Sequence, residues 1–355
     1  MSNKTNIKEF VENLFGFVRD EYPQIEPAGL LQSRIAYGKY NPSAGHHIID
    51  PILQDEKPHQ VKKFSILERC LREADSSRIG LSNRHLSFFE MFVYTYYGEN
   101  SKLLIEQPTK IFYELLINKL GLNKDKFLIT ILKECKIENL HLTEKDTERE
   151  YEIWSKLFGK DKVKRTKGRR NLFLARLPGA AGGTGVEIYY RINGKYVEIG
   201  SQLHYHYIFN GPNNIIKTTN GNFGNGLGLE RLLMVLENKS SVYDISLIKP
   251  IKDILIKSLN DGTEQLYDDN INLTADHIRA ITFVIWEKER QNTKLTNSQE
   301  KILRKFKKNL DSSLAYLGID TKIYADLIDV IIDLYKDRFA DLPRYKDKIL
   351  EYLNS

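Results

Sequence analysis

Residues 69–91 contain the side chains best suited to chemistry. This segment, RCLREADSSRIGLSNRHLSFFEM, places arginines on both sides of a short polar loop and continues through two phenylalanines and Glu90. Guanidinium groups pair with phosphate oxygens, an aromatic face stacks on a purine, and a carboxylate can hydrogen-bond to the edge of the base. The segment therefore predicts a nucleotide site.

A second candidate segment lies far downstream, at residues 225–237 (NGLGLERLLMVLE). A glycine-rich turn leads into an apolar helix that begins near Glu230 and Arg231. Backbone N–H groups at a helix start can face an anion, and Arg231 adds a full positive charge. Because an arginine at this end of a helix is electrostatically unfavourable without an anion, a functional Arg231 is favoured over a purely structural helix start.

The elements that would position these segments follow from periodicity and turn residues. Strands are predicted within residues 64–97, at 127–132 and across 184–209, where a hairpin turns at Asn193-Gly194. Helices are predicted at 6–20, over most of 103–160, at 228–239 and from about 246 to the end, and residues 21–62 are expected to be irregular. This order predicts an α+β protein, with a mostly antiparallel sheet flanked by helices in residues 1–245 and an all-helical domain in residues 246–355.

Composition is that of a soluble enzyme. The chain has 355 residues, of which 41% are hydrophobic, and no apolar run approaches the about 18 residues of a membrane span. The N-terminus MSNKTNIKEF lacks the apolar core of a signal peptide, and Cys70 and Cys135 give neither a disulfide framework nor zinc spacing. A cytoplasmic location is therefore expected. The net charge of +6 permits an anionic partner.

Together, and in this order, the two segments resemble motifs 2 and 3 of the class II aminoacyl-tRNA synthetases, in particular the catalytic part of alanyl-tRNA synthetases. That family carries C-I-R, then R-H-x-T-F-F-E-M, and much later G-M-G-L-E-R. The counterparts here are CLR at 70–72, RHLSFFEM at 84–91 and GLGLER at 226–231. Further on, SVYD at 241–244 and ADHIR at 275–279 are similar to the family's S-N-Y-D and A-D-H-x-R.

The resemblance implies a ligase with the class II fold, which uses ATP and Mg²⁺ to convert an amino acid into an aminoacyl-adenylate and transfers it to tRNA. It implies that Arg72 holds the α-phosphate and the substrate carboxylate, that Arg231 holds the γ-phosphate, that Phe89 stacks on adenine and that Glu90 lies near the adenine edge. The full expected ATP site is Arg72, Arg84, His85, Phe89, Glu90, Gly226, Gly228 and Arg231. A homodimer fits the resemblance, although no interface is recognisable in the sequence.

Several of these assignments have structural alternatives. Arg72 could instead be an ion-pair partner of a neighbouring glutamate, and Glu90 could be structural. Phe88 and Phe89 alternate along a strand, so one of them belongs to the core, and Phe89 is favoured as the stacking residue.

For the metal, the resemblance implies Glu198, which corresponds to the glutamate of the family's L-E-I-W-N, with Glu187 as the alternative. Magnesium takes carboxylate and phosphate oxygens. His204 and His206 lie two positions apart, but two histidines alone do not make a zinc site, so a pocket wall or a buried face is expected there.

The acyl half of the site departs from the family. Phe173 stands where the family has a tryptophan, and Gly224-Asn225 replaces an aspartate and a threonine. A lost aspartate removes a charge-assisted contact worth roughly 1.5–3 kcal/mol. The expected amino-acid pocket is Phe173, Gln202, His204, Asn225 and Gly226, with Asn222 as a further candidate for binding the ammonium group. The substrate is expected to be alanine or another small acid.

Two basic runs occur, at 160–170 and 288–308, and such a run by itself is most often a solvated face. The resemblance to tRNA synthetases makes contact with RNA the alternative for the second run. In the second run, apolar residues at helical spacing alternate with basic ones. The expected RNA-binding residues, for a tRNA acceptor stem, are Arg279, Arg304, Lys305, Lys307 and Lys308.

Three functions remain open at this point. The first is an alanyl-type tRNA ligase, and the second is a freestanding amino-acid-activating enzyme that passes its acyl group to a non-tRNA acceptor in a biosynthetic pathway. The third is a catalytically silent RNA- or nucleotide-binding protein. The presence of Arg72, Phe89 and Arg231 argues against the third, and the altered pocket argues against a housekeeping version of the first.

Overall fold

The computed structural model describes residues 6–32, 39–45, 47–49, 63–74, 76–99, 103–174, 176–259 and 267–355. Parts of the segment predicted to be irregular (33–38, 46 and 50–62) and of the predicted helical region (260–266) lie outside the described residues. No helix in the described ranges is long and apolar enough to cross a membrane.

The centre of the molecule is a mostly antiparallel sheet. Nine strands are present in the described residues: β1 (Lys63–Leu71), β2 (Phe88–Glu99), β3 (Phe127–Ile137), β4 (Leu140–Leu142), β5 (Val163–Lys167), β6 (Leu172–Leu174), β7 (Ala180–Ile192), β8 (Lys195–Phe209) and β9 (Ile215–Gly228). Their order is β1-β2-β9-β8-β7-β3-β4, with β5 parallel to β3 and β6 antiparallel to β7. The predicted hairpin is β7–β8, and both of its turn residues, Asn193 and Gly194, have positive φ, as a tight two-residue turn requires.

Helices surround this sheet and form the C-terminal part of the described chain. Their bounds are α1 (Ile7–Val18), α2 (Leu103–Glu114), α3 (Glu148–Phe158), α4 (Leu229–Leu236), α5 (Lys249–Lys257), α6 (Asp268–Arg290), α7 (Asn297–Leu317), α8 (Tyr324–Tyr335) and α9 (Lys346–Leu353). The predicted α+β class, an antiparallel sheet with flanking helices followed by helices, is confirmed. The glycine-rich segment before α4 differs from its predicted turn, because it forms the end of the central strand β9.

The helical region packs continuously against the sheet. Residues of α6 are buried in the same apolar core as those of β1, β2 and β8. Three buried ion pairs also join the helical region to residues before 245: Arg69–Glu287 and Glu90–Arg338 to the sheet, and Glu230–Arg279 to helix α4. Buried contacts thus join the two parts on either side of residue 245, and the division into two domains there stays a prediction.

Candidate functional site

One large cavity, of about 920 Å³, lies on one face of the sheet. Its walls come from β2, β8 and β9, from the loop between β1 and β2, and from α7. The residues predicted from the sequence that line it are Arg72, Arg84, His85, Phe89, Phe173, Glu198, Gly226, Gly228, Arg231 and Lys305. The fold thus brings the two distant arginine-bearing segments to the same space.

Glycines on β9 make part of the floor of this cavity. Gly226 lies between Val93 of β2 and Ser201 of β8, and Gly228 lies two residues further along the same strand face. A Cβ atom at Gly226 would be 3.4 Å from Val93 Cγ2 and would project into the cavity. Because glycine has no side chain, a ligand in the cavity can approach the backbone of β9 closely at these positions.

Arg72 and Phe89 form a stacked pair in the cavity wall. The Arg72 guanidinium lies 4.8 Å from the centroid of the Phe89 ring, and its Nε donates a hydrogen bond of 2.8 Å to the Pro42 carbonyl. Phe88 points to the other side of the strand, where it is fully buried and stacks on Phe283 at 4.5 Å. Of the two phenylalanines, only Phe89 is therefore available to a ligand in the cavity.

Arg231 lies in the first turn of α4 and reaches back over the sheet. Its Nε donates to the Arg84 carbonyl at 3.3 Å, and its Nη1 donates to the carbonyl and the carboxylate of Glu198 at 3.2 and 3.3 Å. The side chains of Arg231 and Glu198 remain 25% and 38% exposed. Because such an exposed ion pair is weak, the guanidinium can exchange its carboxylate partner for a phosphate.

The two candidate metal ligands differ in position. Glu198 lines the cavity beside Arg231, whereas the Glu187 carboxylate accepts hydrogen bonds from Tyr189 Oη at 2.6 Å and from Thr130 Oγ1 at 3.3 Å. No group of three potential metal ligands occurs in the described residues. One carboxylate together with phosphate oxygens nevertheless fits magnesium, which is commonly held that way, so Glu198 is the better placed of the two.

Glu90 does not reach the cavity, and its predicted position at the adenine edge is corrected. Its side chain is buried and both carboxylate oxygens pair with Arg338, at 2.7 and 2.5 Å. Its backbone N–H donates to Glu230 at 3.1 Å. Glu90 therefore has the structural role that was the alternative, joining β2 to the segment after α8.

Gln202, His204 and Asn225 also lie away from the cavity, on the opposite face of the sheet. The Gln202 amide accepts a hydrogen bond from Trp154 Nε1 at 3.0 Å and donates one to Asn225 Oδ1 at 2.7 Å. His204 Nδ1 lies 3.4 Å from a Glu150 carboxylate oxygen. These three residues cannot contribute to a pocket in the cavity without rearrangement.

For Gln202 and His204 the cause is a β-bulge in β8, whereas Asn225 faces away because it is adjacent to the cavity-lining Gly226 on strand β9. Tyr189 pairs with Glu198 and Ile188 pairs with Gly200, so Ile199 is an extra residue that reverses the alternation. Consequently Ser201 and Leu203, rather than Gln202 and His204, share the cavity face with Glu198. The one sequence signal for this reversal is Gly200, since a glycine inside a strand often marks a bulge.

His206, two residues beyond His204 on β8, is buried and contacts His204. Its ring centroid lies 4.4 Å from that of His204, and its Nδ1 is 2.8 Å from the His204 carbonyl. Burial and the adjacent His204 lower the pKa of His206 to about 3, so it is neutral at physiological pH. This agrees with the buried-face interpretation of the histidine pair.

An apolar wall, of which only Phe173 was predicted from the sequence, bounds one part of the cavity. Phe173 lies against β7, where a Cβ atom at Gly185 would come within 2.4 Å of its ring. The other apolar residues of this wall are Met91, Leu174, Leu177, Ala181, Leu203 and Tyr205. Gly224, at the position of the family's aspartate, supplies no charge, and Asn222 donates to Thr95 Oγ1 at 2.8 Å.

The predicted RNA-binding residues occupy different environments. Arg279 is fully buried, where it pairs with Glu230 at 3.1 Å and hydrogen-bonds to Tyr335, so its predicted contact with RNA is wrong. Lys307 is largely buried and pairs with Asp311 at 2.6 Å. The exposed members of the set are Arg304, Lys305 and Lys308.

The family match and two similar curated proteins point to the same family. The family described as tRNA synthetases class II (A) matches residues 43–355. An alanine–tRNA ligase from Natranaerobius thermophilus is 24% identical, with 96% of this chain and 38% of that protein covered. One from Borrelia hermsii is 28% identical, with 88% of this chain and 54% of that protein covered. The chain thus spans between about a third and a half of the length of such relatives.

Solved structures are also similar at low sequence identity. Apo histidyl-tRNA synthetase of S. aureus is 14% identical with a TM-score of 0.42, and 67% of each chain is covered. A pyrrolysyl-tRNA synthetase of Desulfitobacterium hafniense is 15% identical with a TM-score of 0.38, covering 69% of this chain and 74% of that one.

Proposed function

The chain belongs to the class II (A) family of tRNA synthetases, and we propose that it is a ligase that activates a carboxylic acid with ATP and passes the acyl group to tRNA. The observation that carries the proposal is the meeting of Arg72, Phe89 and Arg231 in one cavity. Two permanently charged guanidinium groups can bind the phosphates of a nucleoside triphosphate, and a half-buried aromatic ring in the same cavity can stack on its base.

Each side chain has a role in this reaction. The acid's carboxylate attacks the α-phosphorus of ATP, pyrophosphate leaves, and an acyl-adenylate remains. Arg72 holds the α-phosphate and the attacking carboxylate together, Phe89 stacks on the adenine, and Arg231 neutralises charge on the departing pyrophosphate. Glu198 would hold a magnesium ion, which supplies additional positive charge to the phosphates. The protein thus contributes mainly positioning and electrostatic stabilisation.

The acceptor we favour is a tRNA, because exposed basic residues on α7 are suited to a phosphate backbone. Replacing Arg304 and Lys308 together with alanine is expected to weaken tRNA binding roughly tenfold and to reduce the slope of log affinity against log salt by about one per lost contact. Pyrophosphate exchange should not change. Filter binding over a salt series measures this.

The matched control for the RNA experiment replaces Lys110 and Lys348, two exposed lysines that, like Arg304, sit in local helical ion pairs. An equal loss of affinity in the control would mean that only net charge matters. Unchanged affinity in both variants would leave α7 as an ordinary solvated surface.

A second candidate function is supported by the apolar wall of the cavity. Phe173, Leu203 and Met91 line the space, while the amides of Gln202 and Asn225 hydrogen-bond to each other on the other face. Such a lining suits an acid with a larger apolar group than alanine. The second candidate is therefore an enzyme that activates such an acid and passes the acyl group to an acceptor other than tRNA, and a transfer assay with tRNA distinguishes it from the first.

Acid-dependent exchange between pyrophosphate and ATP tests the activity. The panel should contain all twenty amino acids and matched acids without the amino group: propionate for alanine, 4-methylpentanoate for leucine and 3-phenylpropionate for phenylalanine. We expect exchange with at least one acid. Alanine-dependent exchange followed by transfer to tRNA would support the first function, exchange without transfer would support the second, and no exchange with any acid would contradict both.

A further inference from the structure

Helix α7 reaches from the helical region into the wall of the cavity. Ile302 and Lys305 are one turn apart on this helix, and both line the cavity together with Arg72 and Arg84. Ile302 is buried in the same apolar core as residues of β1, β2 and β8. The helical region therefore contributes a positive charge to the proposed nucleotide site.

The ammonium group of Lys305 belongs to a small charge cluster at this wall. Lys305 Nζ lies 3.3 Å from Ser76 Oγ and 3.9 Å from Glu73 Oε1. Lys39 Nζ lies 2.8 Å from the other oxygen of the same carboxylate, Glu73 Oε2. One carboxylate, in the residue directly after Arg72, is thus shared by two lysines.

Both lysines are positioned by α7. Lys305 is part of the helix, and the Gln299 side chain near its start donates a hydrogen bond of 3.0 Å to the Lys39 carbonyl. Tyr40 Oη donates to the Gln299 carbonyl at 2.9 Å. These two hydrogen bonds therefore hold the segment that carries Lys39 against the helix that carries Lys305.

The lysines of this cluster can replace their carboxylate partner with a phosphate group. Lys39 is 55% exposed, Lys305 is 46% exposed and Glu73 is 31% exposed, so each pair is weak in the absence of a ligand. A triphosphate carries several negative charges into the same cavity and offers the lysines a stronger partner than one carboxylate.

We propose that Lys305 is a phosphate-contacting residue of the ATP site, held by Glu73 while no nucleotide is bound. The inference rests on the proposed function, since it assumes that the cavity binds ATP. It separates Lys305 from the exposed basic residues of the same helix. Arg304, the adjacent residue, is 75% exposed, pairs with Glu300 and does not line the cavity.

The test compares Lys305→Ala with Lys305→Arg and with Lys301→Ala, a control at an exposed lysine one turn earlier that does not line the cavity. We expect Lys305→Ala to raise the KM for ATP in pyrophosphate exchange by about tenfold, the scale of one charge-assisted hydrogen bond. Lys305→Arg should keep most of the affinity because the charge is retained, and Lys301→Ala should match the wild type.

Direct ATP binding, measured by isothermal titration calorimetry on the same variants, distinguishes the role of Lys305 from the proposed acid-activating function. If the wild type binds ATP but exchanges with no acid, the proposed function fails while Lys305 is still tested by the change in Kd. Equal ATP affinity and KM in Lys305→Ala and the wild type would overturn the inference. A loss of tRNA affinity alone would also overturn it and return Lys305 to the RNA-binding surface.

Discussion

Arg231→Ala is expected to lower acid-dependent pyrophosphate exchange by about 10²- to 10³-fold while the protein remains folded. Loss of one preorganised group that stabilises transition-state charge typically has an effect of this size. The fold should survive because Arg231 is 25% exposed and its ion pair with Glu198 is weak. Exchange kinetics and a thermal unfolding curve on the same preparation measure both parts of the prediction.

Two further variants make the Arg231 experiment specific. Arg231→Lys keeps the charge but loses the planar fork that binds phosphate oxygens, so an intermediate rate is expected. Arg191→Ala removes an exposed arginine of β7 that does not line the cavity, and it should behave as the wild type. Undiminished exchange in Arg231→Ala would show that the motif 3 arginine has been assigned wrongly.

Arg279→Met is expected to lower the free energy of unfolding by about 3–5 kcal/mol, because removing one partner of a buried ion pair leaves the other charge uncompensated. The Arg279 side chain is fully buried and the Glu230 carboxylate is 2% exposed. Burial raises the pKa of Glu230, and Arg279 opposes this effect. Urea unfolding followed by circular dichroism measures the loss.

The control for this variant is Arg290→Met, which removes an ion pair with Asp341 from a half-exposed arginine on the same helix. A loss below about 1 kcal/mol is expected there. The double variant Arg279→Met with Glu230→Gln should recover part of the stability, since no buried charge is then left unpaired. Similar losses in Arg279→Met and Arg290→Met would mean that the buried pair contributes nothing beyond packing.

The sequence predicted the local elements because their signals are local. Residues 184–209 alternate as strands and turn at Asn-Gly, a pair that tolerates positive φ at both positions, and the structure has the β7–β8 hairpin there. The amphipathic pattern of residues 6–20 gave α1, at Ile7–Val18. Strand β9 was missed because five glycines and several asparagines between residues 210 and 228 are typical of turns. Two of these glycines, Gly226 and Gly228, line the cavity.

By itself, the sequence determined the class of fold, the two arginine-bearing motifs and the family, since these depend on residue types in a fixed order. The tertiary structure decided which of the candidate side chains share the cavity. One extra residue at Ile199 turns Gln202 and His204 away, and long-range ion pairs place Glu90 and Arg279 in the core. Strand register and the partners of buried charges depend on residues far apart in the chain, so no local pattern contains them.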